Sequence, residues 1–338
     1  MSSLIRIALI GYGRWGQNYA RIASELSETE LVAICEVDPR RQGPRGRYPR
    51  VQFCTGVREV VENTAADAVI ISTPASTHYE IARMFLESGR HVLLEKPMAL
   101  EVDHCERLAD MAEHARKVLL VGHTFLYNTG IRKMKEAMQS AGFGRPYYLH
   151  ATRTNLGPIR EDVDAIWDLA PHDVSIFNYL LDQQPQWASA IGSRALGGRN
   201  ADVAFVTLAY GDGVIGNIHV SWADPNKVRE VVAVGSRSRV VFDDLNSLER
   251  VRIFEKGVSV GEQAPETYGE FRLLVRDGDI LSPKVDASEP LKEQFVDFIG
   301  AIQENRRPFS DAAIGTQVVR ALVAAEASME VRGAPKEL

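Results

Sequence analysis

No stretch of the 338-residue chain is apolar for long enough to span a bilayer, which excludes a helical membrane protein. The balance of 45% hydrophobic and 25% charged residues is that of a soluble globular chain. Cysteine is scarce. Cys35, Cys54 and Cys105 form no Cys-x-x-Cys pair, so neither a disulfide framework nor a cysteine-bound zinc is expected. The eight histidines lack the i, i+4 spacing that would let two share an ion, His104 and His114 included, and no metal is expected. No Gly-x-x-x-x-Gly-Lys phosphate loop occurs, so nucleotide hydrolysis lacks support. A net charge of -6 argues against nucleic-acid partners, which are held by neutralising phosphates. A strand that starts at about Leu4 leaves no room ahead of it for a signal peptide, and a cytoplasmic location is expected.

Against these absences stands Ile5 to Asn18. An apolar run, Ile5 to Ile10, reads as a buried parallel strand, and Gly11, Gly13 and Gly16 follow it at Gly-x-Gly-x-x-Gly spacing before an amphipathic helix. The pattern predicts a dinucleotide-binding turn. Gly11 permits the bend, Gly13 lets backbone approach a pyrophosphate, and Gly16 lets helix pack on strand, with helix-start N–H groups facing the phosphates. About 20 residues on, Glu36 ends the next apolar run, where an acceptor for a ribose hydroxyl is expected. The basic run Arg40, Arg41, Arg45, Arg47 and Arg50 follows at once. It reads as a solvated loop, yet Arg40 or Arg41 would favour the 2′-phosphate of NADP while Glu36 would repel it. Glu36 holds the strand-end position, so NAD is favoured over NADP.

Short apolar runs alternate with amphipathic segments as far as Val121, which predicts an α/β doubly wound parallel sheet over residues 1–122. Ligands bind at the carboxyl ends of such strands, here Thr73-Pro74, Glu95-Lys96-Pro97 and Gly122-His123. Residues 123–338 change character. Strand-like runs from Tyr147 to Phe254, with a hairpin turn at Gly211-Asp212-Gly213, predict an α+β domain on a large, mostly antiparallel sheet able to face a partner subunit. Helices are expected at Asn128 to Ser140, His172 to Leu181, Leu291 to Asn305 and Ala312 to Glu330.

Two groupings carry chemistry. An amine at Lys96 can stabilise the negative charge that grows on an alcohol oxygen as hydride leaves its carbon, and Pro97 forces the chain to turn there. Seventy residues later comes Trp167-Asp168-Leu169-Ala170-Pro171-His172-Asp173. With Pro171 opening a helix, His172 would exchange the hydroxyl proton and Asp168, a turn earlier, would orient it or hold a substrate hydroxyl. Helix capping by Asp168 or Asp173 is the rival reading. His78 stands at a helix start, open to either cofactor contact or packing.

With these residues in view, the chain resembles the Gfo/Idh/MocA family of oxidoreductases. The resemblance runs over Gly11-Tyr12-Gly13-Arg14-Trp15-Gly16, Ile71-Ser72-Thr73-Pro74 with His78, Glu95-Lys96-Pro97, Asp168-x-x-x-His172 and the closing helices. It implies a Rossmann domain plus a C-terminal domain used for dimer or tetramer assembly, and NAD-dependent oxidation or reduction of a secondary alcohol on a sugar, cyclitol or nucleotide sugar. It further implies Lys96 and His172 as catalytic pair, Asp168 as their substrate-contacting partner, and Thr73, Pro74, His78 and Glu95 along the cofactor. Arg153-Thr154-Asn155-Leu156-Gly157-Pro158-Ile159-Arg160 is similar to relatives in nucleotide-sugar synthesis, among them UDP-N-acetylglucosaminuronate 3-dehydrogenases. Arg153 and Asn155 are thereby substrate candidates. Guanidinium groups at Arg153 and Arg160 suit a carboxylate or diphosphate, or else pair with Glu161, Asp162 or Asp164. The rivals are a glycoside hydrolase that uses NAD transiently and a non-catalytic dinucleotide-binding protein.

Overall fold

The computed structural model describes residues 4–41, 46–157, 159–260 and 273–338; Arg45 and Pro158 lie outside the described residues. The chain divides into two compact units, Met1–Thr124 with Glu289–Val323, and Phe125–Ser288 with Ala324–Leu338. Each is built on its own sheet.

The first unit contains six parallel strands in the order β3-β2-β1-β4-β5-β6: β1 Ile5–Ile10, β2 Thr29–Cys35, β3 Gln52–Cys54, β4 Ala68–Ile71, β5 His91–Leu94 and β6 Leu119–Val121. Helices α1 (Arg14–Glu25), α2 (Val57–Asn63), α3 (His78–Glu87) and α4 (Val102–His114) make the crossovers. Strand order reverses between β1 and β4, so their carboxyl ends flank the crevice where such sheets take ligands. Continuous Val, Ile and Leu runs form these strands because both faces are covered.

A late segment completes this unit. Helix α7 (Pro290–Glu304) places Phe295 and Phe298, fully buried, in one core with Tyr19 and Ile22 of α1 and Leu9 and Leu93 of the sheet. A single break at 122/123 therefore differs from the observed division. Residues 289–323 return to the first unit, with Ser310 donating to the Val121 carbonyl at 2.7 Å.

The second unit holds a nine-stranded sheet, among the described residues, whose neighbours are antiparallel except for the β7–β10 pair. Its central strands are β7 (Pro146–Leu156), β9 (Val203–Ala209), β10 (Ile215–Ser221), β11 (Ala223–Gly235) and β12 (Arg239–Asp243); β8 (Trp187–Ser193) lies toward one edge and β13 (Val251–Phe254) toward the other. The hairpin at Gly211-Asp212-Gly213 joins β9 to β10 in antiparallel register as expected. Helix α5 (Thr129–Gln139) packs on β12, and α6 (Ala165–Leu181) crosses β7, β9 and β10. The strands Gly257–Val260 and Leu273–Arg276 pair as a separate ribbon that the sequence pattern did not predict. Among the described residues no helix is long and apolar enough to cross a membrane.

Candidate active site

The glycine turn follows β1. Gly11 has φ +90, and a Cβ there would lie 2.7 Å from the Ser72 carbonyl oxygen; one at Gly16 would lie 2.0 Å from the Gly11 oxygen. Neither position admits a side chain. At Gly13 an added Cβ would meet only the Arg41 guanidinium, at 3.6 Å. Gly13 is the N-cap of α1, no side chain caps that helix and no acidic residue occupies its first turn. Its leading N–H groups and dipole are thus left for an anion, which is the fit a pyrophosphate requires. Tyr12 is buried, whereas Arg14 and Trp15 face solvent.

Glu36 comes directly after β2, which ends one residue before it. Its carboxylate accepts from the Tyr12 N–H at 2.8 Å and the Asp38 N–H at 3.0 Å, tying the strand end to the glycine turn. The arginines after it are turned on Asp38. Arg40 grips that carboxylate with two bonds of 2.9 Å and Arg41 stands 3.7 Å away, and the Arg40 hydrogen bonds hold the Asp38 pKa below the usual carboxylate range.

At the carboxyl ends of β4 and β5, His78 acts as a brace. Its Nδ1 lies 2.7 Å from the Pro97 oxygen and its Nε2 3.0 Å from the Thr73 oxygen, so the buried ring links the Thr73-Pro74 turn to the Lys96-Pro97 turn. The Lys96-Pro97 peptide is cis. Beneath Lys96 runs a polar chain with no counterpart in the sequence reading. Thr124 donates to the Gln294 Oε1 at 2.8 Å, the Gln294 amide donates to the Tyr19 hydroxyl at 2.8 Å, and Tyr19 donates to Glu95 at 2.6 Å. Every donor points toward Glu95. Burial pushes the Glu95 carboxyl pKa up, and the Tyr19 bond and the Lys96 charge pull the other way. Its second oxygen accepts from the Lys96 N–H at 3.2 Å, so the chain ends on the backbone that carries the amine. His123, just past β6, is fully buried with neither ring nitrogen hydrogen-bonded among the described residues. Burial, then the Lys96 charge, push its pKa down to about 3, which keeps it neutral.

In the second unit the structure corrects the sequence reading at α6. The helix starts at Ala165 rather than His172, and Asp164, not Asp168 or Asp173, is its cap, accepting from the Trp167 N–H at 2.9 Å. Pro171 lies inside the helix. Asp168 and His172 are consequently i, i+4 neighbours on one face. Asp168 accepts from the Trp222 indole at 3.2 Å and from Arg160 at 3.2 Å, while Arg160 also grips Asp162 at 2.9 and 2.7 Å. The half-buried His172 ring meets the edge of Phe125, centroids 5.1 Å apart.

Arg153 is engaged within the fold. Its guanidinium is bound twice by Asp173, at 2.9 and 2.7 Å, with both side chains buried, and lies 4.4 Å over the Phe125 ring. Asp173 sits on the sheet-facing side of α6 and would be an uncompensated buried charge without it. Asn155 also turns inward, donating to the Gly157 carbonyl of its own loop. Neither side chain is held ready for a ligand. Phe125, Trp222, Tyr19 and Gln294 are the site neighbours that sequence reasoning missed.

Room for a pyrophosphate at a helix start, with an amine at the next strand end but one, is the working end of a dinucleotide-dependent oxidoreductase. A model described as an oxidoreductase family with an NAD-binding Rossmann fold matches residues 5–123, and the C-terminal domain model of the same family matches residues 131–241. The chain belongs to the Gfo/Idh/MocA oxidoreductase family, the two models together covering more than half of it.

Among its relatives is the UDP-N-acetylglucosamine 3-dehydrogenase of Acidithiobacillus ferrooxidans, 27% identical over 329 residues, or 96% of this chain and 97% of that one. Its crystal structure superposes with a TM-score of 0.81 at 26% identity, covering 97% of this chain and 98% of that one. The myo-inositol 2-dehydrogenase of Thermotoga maritima is 25% identical over 265 residues, 75% of this chain and 79% of that one. The WlbA dehydrogenase of Bordetella pertussis, solved with NADH and UDP-GlcNAcA, shares the fold with a TM-score of 0.81 at 19% identity, covering 100% and 99% of the two chains.

Proposed function

We propose that the protein is an NAD-dependent dehydrogenase of a secondary alcohol on a sugar or nucleotide sugar. The observation that carries this reading is the Lys96 amine at the carboxyl end of β5, on a backbone held by the buried Glu95 chain, in the same unit as the open glycine cradle. NAD would be held by the N–H groups around Gly13 and by Glu36, and when bound it supplies the hydride acceptor. The chain's own residues do the rest. Lys96, as ammonium, donates to the alcohol oxygen and stabilises the charge that grows there. His172 takes the hydroxyl proton as general base. Asp168, fixed by Trp222 and Arg160 on the same helix face, contacts the substrate beside His172. The 27% identity to a nucleotide-sugar dehydrogenase over nearly the whole chain supports that substrate class over free inositol.

The test is absorbance of reduced nicotinamide with a panel of cyclitols, free sugars and nucleotide sugars. A nucleotide sugar is expected to give the signal. Release of free sugar from a glycoside without net NADH would favour transient redox use instead, and silence with every compound would remove the enzyme reading.

We further infer a homodimer or homotetramer formed through the large sheet. Tyr148, Ile191, Phe205 and Ile215 are exposed on its strands, more apolar surface than a solvated sheet face ordinarily shows. Sedimentation equilibrium checks this, with Phe205→Glu shifting the mass toward monomer. A cytoplasmic location suits the three thiols, which are buried, unbonded and pushed up to about 12, 11 and 12 for Cys35, Cys54 and Cys105 by desolvation.

A further inference from the structure

The second unit carries a guanidinium that its own neighbours satisfy poorly. Arg153 of β7 and Arg229 of β11 stand directly opposite one another in antiparallel register, so both side chains leave the same sheet face. Arg153 is matched by Asp173. Among the described residues Arg229 is ion-paired only with Asp244, whose nearest oxygen is 3.6 Å away and whose other oxygen already accepts from Asn128 at 3.3 Å, while Asp173 adds a weaker attraction. The Arg229 Nε is buried and donates to nothing among the described residues. Burial and repulsion from Arg153 both lower its pKa, yet guanidinium remains charged at any working pH. Its side chain keeps 36% of its surface open to solvent, so a ligand can reach it.

Arg229 is also close to the proposed base. It lies beside Arg153, Arg153 covers Phe125, and Phe125 meets the His172 ring. We propose that Arg229 anchors an oxyanion of the substrate, a carboxylate or a phosphate. The inference rests on the dehydrogenase reading and narrows its substrates to acidic sugars or sugar phosphates. An oxyanion can accept from the two terminal nitrogens of the guanidinium together, which a neutral hydroxyl cannot match. Arg153, the obvious candidate by sequence, cannot serve without abandoning a buried carboxylate.

The test is calorimetric binding to the whole chain in the presence of NAD, with glucuronate, UDP-glucose and myo-inositol as probes. Arg229→Met should weaken glucuronate if the anchored group is a carboxylate, or UDP-glucose if it is a diphosphate, by roughly 10- to 100-fold, the scale of a lost charged pair of hydrogen bonds. Myo-inositol binding should not change. Arg229→Lys, which retains charge and bulk, should recover only part because an ammonium cannot offer two parallel donors. Equal losses on all three probes, no loss on either acid, or wild-type protein that binds neither acid would overturn the anchor. Anion-selective loss without NADH formation from any sugar would sink the dehydrogenase reading alone, because the binding readout does not depend on turnover.

Discussion

The two units hold their functional groups by different means. In the first, Lys96, Glu36 and the glycine turn are fixed through backbone: carboxylates accept main-chain N–H groups, His78 braces two carbonyls, and the Tyr19–Gln294 chain ends under the amine. In the second, His172 and Asp168 ride on one helix and are steadied by other side chains, namely Phe125, Trp222 and the Arg153–Asp173 pair. Backbone anchoring is tolerant of surface sequence but not of an added Cβ; side-chain anchoring fails when one partner is deleted.

The largest break in that comparison is Asp173→Ala. It strands a buried Arg153 and should destabilise the protein by about 3–5 kcal/mol in urea unfolding, whereas Asp173→Leu with Arg153→Met should restore most of the loss. Restoration by the double change would show that the pair is structural. Next comes Gly16→Ala, where the new methyl would meet the Gly11 oxygen. NAD affinity should fall at least about 10-fold, read by fluorescence titration, with sugar binding to the second unit little altered. Unaltered NAD affinity would show that the turn does not hold the cofactor.

Tyr19→Phe removes the middle of the polar chain and deprives one Glu95 oxygen and the Gln294 amide N–H of that partner, at a cost of about 1–3 kcal/mol. Its kinetic mark should be a lower kcat with KM for sugar unchanged, since Tyr19 reaches the amine through Glu95 and the Lys96 backbone. A change confined to KM would contradict that role.

The first unit also sets an acid limb of stability. His91 and His123 have folded values pushed down to about 4 and about 3, below the ordinary 6.5, so they contribute stability that is present above pH 6.5 and lost as pH falls toward those values. Each adds a slope of about 1.4 kcal/mol per pH unit in that window. His123→Leu should flatten the limb by that amount, measured by urea unfolding between pH 6 and 4.

Most of the first unit was legible because its signals are local. The β1 strand, the glycine spacing and the Glu95-Lys96-Pro97 turn each lie within a few residues, and apolar runs mark parallel strands directly. The second unit was less so. Proline is favoured at the first turn of a helix, so Pro171-His172 reads as a helix start, while Asp164, the actual cap, lies about two turns earlier. Arg153 gave no local hint of Asp173, 20 residues away, nor of Arg229, which meets it only through strand register. Glu95 and Gln294 lie 76 and 275 residues from Tyr19, and periodicity shows that a helix such as α7 has a buried face without naming the sheet it covers.

Lys96 and His172 are proposed to act on the same alcohol. Single-turnover NADH formation from the best nucleotide sugar, in Lys96→Met, His172→Asn and the double variant, tests it most directly. Each single change should slow the reaction by roughly 10²-fold or more with NAD affinity unchanged, and the double should be little slower than the worse single, as for groups acting as one device. Turnover near wild type in either single variant, or losses that multiply in the double, would contradict it.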